Sequence, residues 1–353
     1  MITVGRPDRT VLHWLGLAVL SLVLGSLLDL VRLPAAFLFG PLLAGMTLRL
    51  SGIVLELPRA VVHGAQATIG AMIGAALTPA IVATFLLDWP IFVAIVGATV
   101  GFATATGWFL SARGIVPGTT GVWGSAPGAA TGMVIQAEGS GGDVRLVAFM
   151  QYLRVLFVAS SASIGSWLWL GVAEAAPAKP LFEAIDARAM AATVAVIVVA
   201  GLIGRKLKLA SGAMMLPLFV AALLHGSGLV DFALPRWLLV FAYAGLGWNI
   251  GLRFTREAIA HAARALPWIV ASILALMLFS GGLAVLLVRW FGIDPLTAFL
   301  ATTPGGMDTV AVIAASTPVD VSFVMALQVL RSLSLNVVGV PLSRFVAARL
   351  PKG

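Results

Sequence analysis

Twelve apolar stretches divide the chain, with short polar turns between them. They lie near 13–31, 34–50, 60–80, 90–112, 115–138 and 145–170, and again near 189–204, 211–227, 237–252, 267–288, 295–316 and 321–343. Their length predicts membrane-crossing α-helices, because a hydrocarbon core about 30 Å thick takes ~20 helical residues. The fifth stretch of each set differs. GTTGVWGSAPGAATGMVIQA (118–137) and PLTAFLATTPGGMDTVAVIAA (295–315) are each broken near the centre by Pro-Gly. The first stretch follows MITVGRPDRT, but it is long for a signal peptide and no A-x-A cleavage site follows it, so it reads as a span.

Composition supports the membrane reading. Of 353 residues, 60% are apolar and 10% charged, against about a quarter charged in a soluble domain. No large soluble catalytic or DNA-binding module fits between the stretches. The net charge of +8 is therefore read as loop asymmetry and not as a nucleic-acid footprint. The absence of cysteine excludes disulfides, thiolate metal sites and cysteine nucleophiles.

The two sets are a duplication. An ungapped offset of 177 residues, as in Pro58 against Pro235, aligns Gly70 with Gly247, Pro90 with Pro267 and Pro127-Gly128 with Pro304-Gly305. The same offset aligns Asp143 with Asp320, Gln151 with Gln328 and Arg154 with Arg331. Before Pro58 it is 176, as in Pro41 against Pro217. The halves are assigned as 1–175 and 176–353.

Whether the fifth stretch crosses the membrane decides how the halves relate. Leaving Arg154 and Arg331 aside, a fifth stretch that enters and returns, with a cytoplasmic N-terminus, puts fifteen basic residues inside. Only Arg32, Lys179, Arg188, Arg236 and Arg289 then fall outside. A spanning fifth stretch splits the same residues twelve to eight and puts Arg205, Lys206 and Lys208 outside. Cytoplasmic loops carry the excess of basic residues, so the re-entrant reading is preferred. The expected fold is an all-α polytopic membrane protein of two inverted repeats. Each has five transmembrane helices and one re-entrant hairpin, and both termini are cytoplasmic.

A hairpin over 115–138 gives two half-helices of about ten residues, each ~15 Å long, enough to reach the midplane. Pro127 lacks an N–H and Gly128 tolerates unusual dihedrals. Exposed backbone at such a tip is tolerated only where it lines a cavity or is buried in protein. Broken segments of inverted repeats are the usual pointer to a transporter's binding site. The alternative is a kinked but complete helix without a ligand.

Arg154 and Arg331 lie about ten residues into the sixth stretch of each half, and Gln151 and Gln328 share their faces. An ionised group at that depth is costly and marks a functional candidate. Each arginine either coordinates an anion or binds hairpin carbonyls and pins the fold. The first tip, Ser125, Pro127, Gly128 and Thr131, is neutral. The second, Thr303, Pro304, Gly305 and Asp308, carries an acid. Asp308 reads as a cation or proton site or as the counter-ion of an arginine, with the counter-ion reading preferred. Gly70-x-x-x-Gly74 and Gly247-x-x-x-Gly251 suit close helix packing. Asn249 suits an interhelical hydrogen bond. Nothing enzymatic stands out. The four histidines are scattered near span ends, and no acid cluster has metal-ligand spacing.

The duplicated pattern PGA…GDVRLVAFMQYLRV and PGG…VDVSFVMALQVLRS resembles the duplicated AbrB-type integral membrane family of Gram-negative bacteria, over nearly the whole chain. That family is labelled either an ammonia monooxygenase or a regulator, and it is unrelated to the small DNA-binding regulator that shares its name. The resemblance implies an inner-membrane location and supplies no catalytic residues. The functional expectation is a secondary transporter of a small organic anion, not an enzyme and without a cofactor. Its site would comprise Ser125, Pro127, Gly128, Thr131, Gln151, Arg154, Thr303, Pro304, Gly305, Asp308, Gln328 and Arg331. The expected partners are the anion, a coupling proton or sodium ion and the lipid bilayer, with a homodimer left open and no nucleic acid. The alternative is a membrane-embedded ligand sensor that influences gene expression indirectly.

Overall fold

The computed structural model describes residues 9–77, 79–127, 130–170, 186–207 and 212–349, which contain helices and turns and no strand. The first half contributes α1 (Arg9–Leu30), α2 (Ala36–Leu50), α3 (Arg59–Ala76), α4 (Pro79–Ala112), α5 (Thr120–Ser125), α6 (Ala130–Gly139) and α7 (Val144–Leu170). The second contributes α8 (Ala187–Ala195), α9 (Gly201–Lys206), α10 (Gly212–Gly226), α11 (Arg236–Gly251), α12 (Arg256–Ala262) and α13 (Leu266–Phe291). It ends with α14 (Pro295–Thr302), α15 (Met307–Ala315), α16 (Val321–Ser334) and α17 (Val340–Ala347). Single π-helical turns, Val196–Ala200 and Leu335–Gly339, join α8 to α9 and α16 to α17.

Five of these segments are long and apolar enough to cross a bilayer: Thr10–Leu30, Trp89–Ala112, Val144–Leu168, Ala187–Lys206 and Leu266–Phe291. The protein is a helical membrane protein. One boundary differs from the sequence expectation. No break precedes Pro90; α4 runs through it from Pro79 for 34 residues. A proline inside a helix removes one backbone hydrogen bond, which the flanking turns of α4 carry. The corresponding residues of the second half form the separate α12. There the Thr255 hydroxyl accepts the Ala258 N–H at 3.0 Å, and Pro267 sits in the first turn of α13, where its missing N–H costs nothing.

The sequence halves interleave. α3 packs mainly on α10, and α2 on both α1 and α11. Glycine sets how closely they approach. A Cβ on Gly70 would lie 2.2 Å from the Met214 carbonyl oxygen, and one on Gly74 would lie 2.2 Å from that of Leu218. Their repeat counterparts do the same to α2, since a Cβ on Gly247 would be 2.4 Å from Leu38 O and one on Gly251 2.1 Å from Leu42 O. The small-xxx-small spacing is thus a packing device in both halves. The Asn249 side chain makes no hydrogen bond among the described residues, contrary to expectation. Phe102 on α4 stacks on Phe279 on α13 with centroids 4.3 Å apart and rings inclined by 5°. These two are repeat counterparts, separated by the offset of 177.

The glycine contacts are testable. Gly70→Val and Gly251→Val should each destabilise the detergent-solubilised protein by about 1–3 kcal/mol or more, since overpacking forces the helices apart. Gly97→Ala, which meets no atom within 4 Å, should leave the melting temperature unchanged.

Candidate functional site

The broken stretches are each interrupted at Pro-Gly. α5 ends at Ser125 and α6 begins at Ala130, yet the outer ends of this stretch are joined. The Asp143 N–H donates to Thr120 Oγ1 at 2.8 Å, and Thr119 Oγ1 donates to the Ser140 carbonyl at 3.1 Å. The second stretch repeats the device, with the Asp320 N–H donating to Thr297 Oγ1 at 3.2 Å. Thr120 and Thr297, like Asp143 and Asp320, are separated by the repeat offset of 177. Neither threonine was singled out from sequence, although the offset carries both.

A helix that stops inside protein leaves its last carbonyls without intrahelical donors. Here Gln-x-x-Arg supplies them. Gln151 Nε2 donates to Trp123 O and Ala126 O, both at 2.8 Å. One guanidinium nitrogen of Arg154 reaches Ala126 O at 3.0 Å and Ser125 O at 3.3 Å, and the other donates to Gln151 Oε1 at 2.9 Å. In the second half, Gln328 Nε2 donates to Leu300 O, Ala301 O and Thr303 O at 3.0, 3.2 and 3.1 Å. Arg331 donates to Thr303 O at 2.5 Å, Gly305 O at 2.7 Å and Gln328 Oε1 at 2.5 Å. Gln151 and Gln328 are fully buried, and Arg154 and Arg331 are only 2% and 3% exposed. Each cation sits at the carbonyl end of a short helix, where the aligned peptide dipoles favour it.

The pinning role, left open by the sequence, is therefore part of the geometry. What remains free is also symmetric. Nε of Arg154 and Nε of Arg331 are buried and have no hydrogen-bond partner, and the Ser125 hydroxyl beside Arg154 has none either. Neither arginine forms an ion pair among the described residues. The counter-ion reading of Asp308 is thus not what the structure shows. Its Oδ1 accepts the Thr309 N–H at 2.9 Å, in the first turn of α15, where an acid is favoured by the helix N-terminus. Ser125, Pro127, Thr303, Pro304 and Gly305 are buried at the two tips, and Asp308 is half-buried. Gly128 lies outside the described residues, and so does the side chain of Thr131. The second tip packs on α7, since a Cβ on Gly305 would lie 2.8 Å from Val158.

The family model described as transition state regulatory protein AbrB matches residues 3–76 and 37–347. The chain belongs to the AbrB family. A protein of Escherichia coli (strain K12) named "Putative regulator AbrB" is 44% identical over 343 residues, covering 97% of this chain and 99% of that relative. In this AbrB chain, the resemblance read from Pro-Gly…Asp…Gln-x-x-Arg therefore rests on the residues that cap and close the broken stretches.

Loss of a cap has a defined consequence. Arg331→Gln orphans the Gly305 carbonyl inside the protein and leaves Thr303 O with Gln328 alone, at about 1–3 kcal/mol for an unsatisfied group. A melt in detergent should show a drop of several degrees, and Arg154→Gln should do the same through the Ser125 carbonyl. Arg331→Lys, which keeps the charge but loses the fork, should recover part of the loss.

Proposed function

We propose that the protein is a secondary transporter of a small organic anion in the bacterial inner membrane, with no catalytic step. The observation that carries the reading is a charge imbalance. Two guanidiniums are buried beside the broken backbone with only dipoles as partners, and a buried charge is costly until an opposite charge or strong hydrogen bonds compensate it. An anion held near the two free Nε–H groups and the N-terminus of α6 would supply that compensation. Ser125 and the apolar lining around it would then take the organic part. Asp308, in the place of Thr131 in the other half, is assigned to a coupling proton or sodium ion.

The topology in this reading is two inverted repeats, 1–175 and 176–353, each with five spans and a re-entrant hairpin. Contacts between helix ends support it. Arg236 lies 3.8 Å from Asp29, and Trp167 Nε1 donates to Val31 O at 2.9 Å. At other ends Arg256 donates to Leu50 O, and Arg344 reaches Gln136 Oε1 at 2.9 Å. If the fifth stretches crossed the membrane, the members of each of these four pairs would lie on opposite faces. With re-entrant fifth stretches, the first two pairs share one face and the last two share the other. The basic excess then makes the second face cytoplasmic, together with both termini.

A thermal-shift screen of carboxylates, sulfonates and phosphates, followed by counterflow in proteoliposomes, tests the reading. A binder present at 100 times its Kd stabilises the fold by about 2.7 kcal/mol. The labelled binder should then exchange across the membrane. Binding without exchange would favour the sensor reading, to which the relative's printed name as a regulator lends weight. If no anion shifts the melt, the anion site is wrong. Asp308→Asn should keep anion binding and counterflow but lose uptake driven by a proton or sodium gradient.

A further inference from the structure

One cavity shares no lining residue with the anion site. It measures ≈ 320 Å³ and lies among α4, α13, α14 and α16, within the range of small-molecule sites, about 300–1,000 Å³. Its walls are apolar and closed to solvent: Phe92, Ile95, Leu287, Phe323 and Leu327 are all buried. The Phe92 and Phe323 rings meet at 5.5 Å, inclined by 53°, and join α4 to α16 along one wall. Three other lining residues are exposed. Phe291 ends α13, and Asp294 and Asp320 immediately precede α14 and α16. The cavity therefore opens where these helices end.

The mouth is acidic. Asp294 Oδ2 accepts the Thr297 N–H and Asp320 Oδ1 accepts the Phe323 N–H, both at 2.9 Å. Each carboxylate keeps its other oxygen unbonded among the described residues, and neither forms an ion pair there. Thr297, 3% exposed, lines the cavity and ties the two acids together. Its hydroxyl accepts the Asp320 N–H at 3.2 Å and donates to no acceptor among the described residues, so a polar hydrogen is still unmet below the mouth. The repeat shows what a carboxylate at this position takes. Asp143, the counterpart of Asp320, has His261 Nε2 2.6 Å from its Oδ2. Thr84 stands at the position matching His261 and carries no base, while Asp294, whose match is Pro117, adds a second acid.

We infer that this cavity binds an organic cation, with an ammonium at the mouth and an aromatic or aliphatic body inside. The body fills apolar walls that water cannot satisfy. The ammonium meets the free oxygens of Asp294 and Asp320, and Phe291 at the mouth adds an aromatic ring, which attracts cations. An anion would meet the same two acids and be repelled. The ligand is therefore of another class than the anion of the transport reading, and its binding does not depend on that reading.

Phenethylamine, 2-phenylethanol and 3-phenylpropionate share one body and differ in the charge of the head. Each is titrated against the melt of the full-length protein in detergent. Phenethylamine should bind about tenfold more tightly than the alcohol, at about threefold for each exposed carboxylate, and 3-phenylpropionate should bind weakest. Asp294→Asn and Asp320→Asn keep their helix caps, since asparagine caps as well as aspartate. Each should lower the preference for the amine about threefold, and the double variant should abolish it. The place is read by Phe291→Cys, the sole thiol in a chain without native cysteine. Phenethylamine should slow its labelling by a small hydrophilic methanethiosulfonate. Ser316→Cys, exposed but not part of the lining, should keep its rate. The inference is overturned if none of the three probes binds, if the alcohol binds as tightly as the amine, or if the double variant keeps the preference. A melt shift without protection of Phe291→Cys would put the amine elsewhere and overturn it too. Amine binding here with no counterflow of any anion would refute transport alone.

Discussion

A backbone carbonyl in the middle of a bilayer has no water to accept from, so a helix that ends there must have its last oxygens met by protein. At both Pro-Gly breaks that demand falls on one Gln-x-x-Arg unit of the following helix. The amide of Gln151 serves two carbonyls and that of Gln328 three, while each guanidinium shares one of these, adds one more and is itself held by the amide oxygen. The requirement places α7 and α16 against the broken stretches along their depth. At the far end of each stretch the Asp143 N–H meets Thr120 and the Asp320 N–H meets Thr297. Pro-Gly without the arginine would leave carbonyls bare, and the arginine without Pro-Gly would be a buried charge with no acceptor.

Around this constraint the halves are interleaved, with Gly70 and Gly74 fitting one half against the other and Gly247 and Gly251 reciprocating. Phe102 and Phe279 stack where the two halves are related to each other. The near-symmetry makes its failures informative. Thr131 faces a counterpart with a carboxylate, Asp308. Asp143 has a histidine partner, and Asp320 has none among the described residues.

The repeat offset, the Pro-Gly breaks and the depth of Arg154 and Arg331 were legible in the sequence because each depends on residue type and spacing alone. The close-packing role of the glycine pairs was legible for the same reason. What the arginines hold was not, because carbonyl acceptors belong to every residue and leave no mark in a sequence. Asp308 was misread as a counter-ion because charge complementarity ignores geometry: the Arg331 fork is already turned toward Thr303 and Gly305. The continuity of α4 through Pro90 was hidden because proline ends some helices and only bends others, and tertiary packing decides which.

The account stands on the two broken stretches entering from opposite faces and returning. Single cysteines at the exposed positions Ala112 and Glu138 flank the first, and those at Phe291 and Ser316 flank the second. Labelling with an impermeant thiol reagent in oriented membranes reads their sides. The account predicts that Ala112→Cys and Glu138→Cys react only from the cytoplasmic face, and Phe291→Cys and Ser316→Cys only from the other. Ala112→Cys and Glu138→Cys reacting from opposite faces would contradict it.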